Sequence, residues 1–154
     1  GTIAAVTNNK EGVAGVAGGS GTGDGVRIMS CAVFHADTLS GGFAEAYVYS
    51  ADNGAVVSQN SWGYTLPGVF EQVVLDAIDY FVEEAGKGST GQQTGPIGGG
   101  VVIFSAGNYN DEAQYFPASY PPVVAVASST HKDKRSRYSN YGSWIDITAP
   151  GGET

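Results

Sequence analysis

The stretch GGGVVIFSAGNYN, residues 98–110, decides the fold because it joins an apolar run to a polar turn. Residues 101–104 are apolar and follow glycines, which predicts a fully buried strand, too short to be a helix. The run stops at Ser105-Ala106-Gly107-Asn108. Gly107-Asn108 is ordinary turn chemistry, yet the end of a parallel strand is also where α/β proteins place reactive groups. A side-chain amide held there could donate a hydrogen bond to a developing negative charge, so Asn108 is a candidate functional residue.

Other elements are predicted on both sides of this strand. Apolar residues at i, i+3 and i+4 predict one long helix, and turn residues mark the ends of a second, shorter one. Strands and helices alternate over the first two thirds of the chain, which predicts an α/β fold with a mostly parallel sheet flanked by helices. The predicted helices span 43–52 and 68–85, with Gly86 after the second, and the other strands span 26–34, 55–59, 123–128 and 144–148.

Composition limits the function classes. The net charge is −8 and no basic stripe is present, so nucleic acid is not an expected partner. No apolar run approaches the length of a membrane span, so we expect no membrane partner. The 154 residues, 42% of them hydrophobic, are enough for a single domain over 1–154 that buries a core. The single cysteine, Cys31, lies in an apolar run and is predicted to be a small buried core residue.

Two kinds of site are disfavoured by the residues themselves. The segment GGSGTGDG, residues 18–25, lacks the glycine spacing of a dinucleotide fingerprint, and a strand is predicted to follow it instead of a helix. His35 follows an apolar run and His131 lies in a charged loop, and neither stands beside a recognisable nucleophile motif. The chain alone therefore offers no nucleophile, base and acid set.

Several segments, in order, resemble one family. They are GTIAAVTNNKEGVAGVAGG at 1–19, SQNSWG at 58–63, GGGVVIFSAGN at 98–108, YFPASYPPVVAVASS at 115–129 and RSRYSNYGSWIDITAPGG at 135–152. This ordered set resembles the subtilisin-like serine proteases, or subtilases, over essentially the whole chain. The resemblance implies a subtilisin-like fold, incomplete at both ends.

The resemblance also implies a site. Asn108 would be the oxyanion donor, which stabilises the negative charge formed in peptide hydrolysis. A peptide or protein substrate would bind in extended conformation between two segments, Ser61-Trp62-Gly63 and Ser40-Gly41-Gly42. The first pocket would have Ser105, Ala106 and Gly107 as its wall, Tyr115 near its floor and Tyr109 near its rim. Trp62 and Phe43 would form a further apolar pocket, or simply pack in the core.

Two structural features follow from the same resemblance. The carbonyls of Pro121 and Val123, with the Asp146 carboxylate, would form a structural calcium site, since calcium prefers such oxygen ligands. The Phe116-Pro117 peptide bond would be cis.

The resemblance leaves the catalytic triad outside the 154 residues. Its aspartate and histidine would precede Gly1, and its serine would follow Thr154. We therefore expect the central part of a secreted or cell-surface serine endopeptidase, inactive alone and prone to self-association through exposed core surface. A non-catalytic module that binds extended peptides, and a purely structural domain, are the alternatives.

Overall fold

The computed structural model describes residues 1–34 and 41–153, which divide into two compact units, Gly1–Ala32 and Val33–Thr154. The expectation of one partial domain over 1–154 stays a prediction. The second unit contains helices α1 (Phe43–Asp52) and α2 (Gln72–Glu84), and strands β1 (Val57–Asn60), β2 (Val101–Ser105), β3 (Val123–Ser129) and β4 (Ile147–Pro150).

The four strands form one sheet in the order β1-β2-β3-β4, and every neighbouring pair is parallel. Val57 lies opposite Val101, Val102 opposite Val123, and Val126 opposite Ile147. Because the strands are parallel, their carboxyl ends meet at one edge of the sheet. The predicted α/β fold with a parallel sheet is confirmed.

The core lies between the two helices and one face of the sheet. Ile78 and Phe81 of α2 and Val102 and Phe104 of β2 are all 0% exposed. Tyr47 of α1 packs against Phe81 with ring centroids 6.2 Å apart. Burial alternates along β2, where Val102 and Phe104 are buried and Val101 is 38% exposed. The prediction of a strand buried on both faces is therefore wrong, because the described helices cover only one face of the sheet.

The helix predictions hold, with both boundaries of the second helix shifted. Helix α1 has the predicted bounds, and Asn53 ends it by donating its side-chain amide to the Tyr49 carbonyl at 2.8 Å. Helix α2 begins at Gln72, four residues later than predicted. Gly68 turns the chain at φ 71°, and its N–H donates to the Gln114 carbonyl at 3.0 Å, outside any helix. Gly86 follows the helix at φ 72°, as predicted.

Three strand predictions need correction. Residues 26–34 form no strand and are largely exposed, with Ile28 65% and Phe34 60% exposed. A strand exists only through hydrogen bonds to a neighbour, and no described strand pairs with 26–34. The strand predicted at 55–59 runs from Val57 to Asn60 and is half exposed because it lies at the sheet edge. The strand predicted at 144–148 runs from Ile147 to Pro150.

Cys31 is exposed, so its prediction as a buried core residue is wrong. The residue lies in the segment 26–34, whose apolar residues would be buried only if the segment joined a sheet. Its apolar neighbours in sequence therefore gave a false indication of burial.

The first unit, residues 1–32, is held by backbone contacts. A single turn closes where the Ala5 N–H donates to the Gly1 carbonyl at 3.0 Å, and the Gly15 N–H donates to the Ala5 carbonyl at 2.9 Å. A Cβ at Gly18 would lie 2.0 Å from the Ala5 oxygen, so only glycine fits this crossing. Asp24 accepts hydrogen bonds from the Ser20 N–H and hydroxyl, which lower the pKa of its carboxyl.

Tyr47 gives a prediction about pH. Its ring is 4% exposed, its hydroxyl donates to Asn60 Oδ1 at 3.0 Å, and burial raises the pKa of this phenol well above its usual value. The unfolded chain loses this proton at about pH 10, whereas the folded chain keeps it at that pH. The stability due to Tyr47 is therefore complete below about pH 10 and is lost as the pH rises toward the folded-state value.

We expect the urea midpoint to fall between about pH 8 and about pH 11, and to fall less in the Tyr47→Phe variant. Tyr49→Phe is the matched control, because Tyr49 lies on the same helix and is 59% exposed. An equal fall in wild type and Tyr47→Phe would contradict the prediction.

Candidate functional site

A cleft of about 160 Å³ opens at the carboxyl ends of β1 and β2. Residues from three loops line it, and nine of them were predicted from the sequence as site residues. These nine are Ser61, Trp62, Gly63, Ser105, Ala106, Gly107, Asn108, Tyr109 and Tyr115, and Tyr64, Phe116 and Ala118 complete the lining.

Asn108 lies directly beyond β2, at the mouth of this cleft. The residue is exposed, and its side chain makes no hydrogen bond to any residue among 1–34 and 41–153. Gly107 before it has φ 103°, a backbone conformation that favours glycine. The Asn108 amide is therefore a donor that a bound molecule can reach.

The segment Ser61–Gly63 follows β1 and forms one side of the cleft. The indole N–H of Trp62 donates to Asn60 Oδ1 at 3.3 Å, and Asn60 in turn donates to the Ile103 carbonyl at 3.2 Å. The Tyr64 N–H donates to the Phe116 carbonyl at 2.9 Å, which joins this segment to the opposite side of the cleft.

Trp62 also packs among aromatic rings. Its centroid is 4.4 Å from that of Phe43 and 5.2 Å from that of Phe104. Trp62 therefore lines the cleft and also packs with Phe43 against the core, whereas the further apolar pocket predicted for these two residues stays a prediction.

The far side of the cleft is aromatic and uncharged. Tyr109 stacks on Tyr115 at 4.8 Å, and the Tyr115 hydroxyl donates to Asp111 at 3.0 Å. Burial, followed by the bond to Asp111, raises the pKa of the Tyr115 hydroxyl. Phe116-Pro117 beside them is the cis bond that the sequence predicted.

Gly41 and Gly42 do not line this cleft. Gly42 precedes α1 with φ 73°, and the Gly41 N–H donates to the Val33 carbonyl at 3.1 Å. Ser40 and His35, also considered from the sequence, lie outside the described residues.

The predicted calcium site stays a prediction. One oxygen of Asp146 accepts from the Ala125 N–H at 2.7 Å, so part of its carboxylate already joins β3 to the segment before β4. Pro121, Val123 and Asp146 supply three oxygens, fewer than the about six to eight that calcium takes. Within the described ranges, no three His, Cys, Asp or Glu side chains cluster as metal ligands.

Comparison with known proteins explains why these loops meet. The subtilase family model matches residues 1–154. The chain belongs to the subtilase family. Thermitase of Thermoactinomyces vulgaris is 34% identical over 98% of the chain, and an extracellular basic protease of Dichelobacter nodosus is 33% identical over 98%. These alignments cover 47% and 23% of the two relatives, so the chain spans about half or less of their length.

A solved structure supports the same assignment. A protease from Pseudoalteromonas arctica matches this subtilase chain with a TM-score of 0.70 and 33% identity, over 100% of the chain and 42% of that structure. The parallel sheet described above is therefore the subtilisin-like arrangement. None of the helices among the described residues is long and apolar enough to cross a membrane.

Proposed function

We propose that the full-length protein is a serine endopeptidase and that this chain supplies its oxyanion donor and most of its substrate cleft. One observation carries the proposal: the side-chain amide of Asn108, which has no hydrogen-bond partner among residues 1–34 and 41–153, lines a cleft with Ser61–Gly63 and Ser105–Gly107. In peptide hydrolysis the former carbonyl oxygen becomes negatively charged, and a preorganised amide stabilises this charge more in the transition state than in the ground state.

The reaction would proceed through an acyl-enzyme. A histidine held by an aspartate would take the serine proton as the serine oxygen attacks the peptide carbonyl, and the same proton would pass to the amine that leaves as the C–N bond breaks. Water would then hydrolyse the acyl-serine ester and release the acid product. By the resemblance to the family, these three groups would lie outside the 154 residues and would come from other parts of the full-length protein. We therefore expect the 154-residue chain alone to be inactive.

The substrate would be a peptide or protein segment in extended conformation. Backbone groups of Ser61–Gly63 would pair with it in the manner of an added strand. The small residues Ser105, Ala106 and Gly107 leave room beside Tyr115 for a side chain. Among residues 1–34 and 41–153 the cleft has no acidic lining residue, so we expect no strict preference for a basic side chain. We propose an extracellular location, since one relative is named an extracellular protease.

The test measures hydrolysis of a fluorogenic peptide mixture by the full-length protein and by residues 1–154 alone. We expect hydrolysis only by the full-length protein, and its loss after treatment with a phosphonofluoridate that modifies active-site serines. Full-length protein that binds peptides without cleaving them would show the non-catalytic module instead. Hydrolysis that survives the serine reagent would contradict a serine mechanism.

A further inference from the structure

The side chain of Asn140 spans the loop that carries Asn108. Its Nδ2 donates to the Ala106 carbonyl at 2.9 Å, and its Oδ1 accepts from the Tyr109 N–H at 2.7 Å. The Asn140 N–H also donates to the Gly107 carbonyl at 3.1 Å. Three hydrogen bonds therefore fix the backbone on both sides of Asn108.

Asn140 is also tightly packed. The residue is 0% exposed, and a Cβ at Gly107 would lie 2.7 Å from its Nδ2. A buried polar side chain must be hydrogen-bonded, and the described partners satisfy both ends of this amide. The loop thus has little freedom to shift without breaking bonds to a buried group.

Asn140 is itself held by its neighbours. The Ser139 hydroxyl donates to the Asn140 carbonyl at 3.0 Å and accepts from the Ser128 N–H of β3 at 2.9 Å. Arg135 donates to the Ser139 carbonyl at 2.6 Å and to Asn110 Oδ1 at 2.8 Å. The segment with Asn140 is therefore fastened both to the sheet and to the loop after Asn108.

We propose that Asn140 is a positioning residue for the oxyanion donor, an inference that rests on the proposed function. It does not touch the substrate cleft and acts only through the backbone of residues 106–109. An oxyanion donor works only when it is aimed at the position of the charged oxygen, and small misplacements are costly. Asn140 fixes the backbone that orients the Asn108 side chain, since that side chain has no described partner of its own.

The test is a double-mutant cycle in the full-length protein, with Asn108→Ala, Asn140→Ala and both changes together. We expect Asn140→Ala to lower kcat between about tenfold and about a hundredfold, with KM changed by less than about twofold. In the Asn108→Ala background the same change should alter kcat by less than about twofold, because the donor that it positions is already absent.

Two further variants separate positioning from loss of fold. Asn140→Ser keeps one hydrogen-bonding group on a shorter side chain, and we expect it to lose less kcat than Asn140→Ala. Ile78→Val, in the core under the sheet, is the control that lowers the melting temperature without lowering kcat. If Asn140→Ala does not fold, the cycle is measured with Asn140→Ser.

The outcomes are distinguishable. An equal loss of kcat with and without Asn108, an effect confined to KM, or no effect at all would overturn the positioning role while leaving the proposed function intact. An Asn108→Ala variant with normal kcat would instead remove the proposed function and, with it, the positioning role.

Discussion

Asn108→Ala in the full-length protein is expected to lower kcat by about 10²–10³, with KM nearly unchanged. That magnitude is the one known for the oxyanion asparagine of subtilisin, whose role we propose for Asn108. The change removes one hydrogen bond that is strong only when the substrate oxygen carries charge, so binding of the uncharged substrate should hardly change.

The matched control is Asn53→Ala, since it makes the same change at the exposed end of α1, away from the cleft. It should keep kcat within about twofold of wild type and lower the free energy of unfolding only slightly. Steady-state kinetics on one peptide substrate measures both variants. A loss of less than about threefold for Asn108→Ala, or a loss in KM alone, would contradict an oxyanion role.

Phe81→Ala is expected to destabilise the fold by about 3–5 kcal/mol. The Phe81 ring is fully buried between α1 and the sheet, and a Cβ at Gly100 would lie 2.5 Å from two of its atoms. The backbone there cannot move in to fill the space, because the Gly100 N–H donates to Val82 and the Val101 N–H to Val56. The substitution therefore leaves a cavity, and the free energy of unfolding falls by the full amount expected for one.

Urea denaturation measures this cost. Glu83→Ala, two residues along the same helix and exposed, is the control and should change the free energy of unfolding by about 0.5 kcal/mol or less. A cost below about 1 kcal/mol for Phe81→Ala would mean that the core under β2 can collapse around the gap.

The sequence predicted those helices and strands that are determined by residues within one segment. Helix α1, helix α2 from Gln72 onward, β2 and β3 were found because periodicity and flanking turn residues lie within each segment. Residues 26–34 were predicted as a strand on their apolar content alone, but strand formation requires a partner, which the segment itself cannot show. The half exposure of β1 was not predicted for the same reason, because it depends on the position of β1 at the edge of the sheet.

The residues that line the cleft were predicted better than the residues that hold the cleft loops in place. Ser61–Gly63 and Ser105–Asn108 carry recognisable motifs, and the structure brings them together. Asn140 lies 32 residues beyond Asn108 in a segment typical of surface loops, and its buried amide could be found only from the folded contacts. Tyr64 and Ala118 likewise line the cleft without any sequence signal.

The exposed thiol of Cys31 has a practical consequence for measurements of oligomeric state. The chain has one cysteine, and in air two exposed thiols on separate copies can be oxidised to an intermolecular disulfide. Such a covalent dimer would run at twice the chain mass on a non-reducing gel and would collapse to one band with dithiothreitol. Sedimentation of the isolated chain should therefore be measured with a reductant, so that covalent dimers are not counted as association through apolar surface.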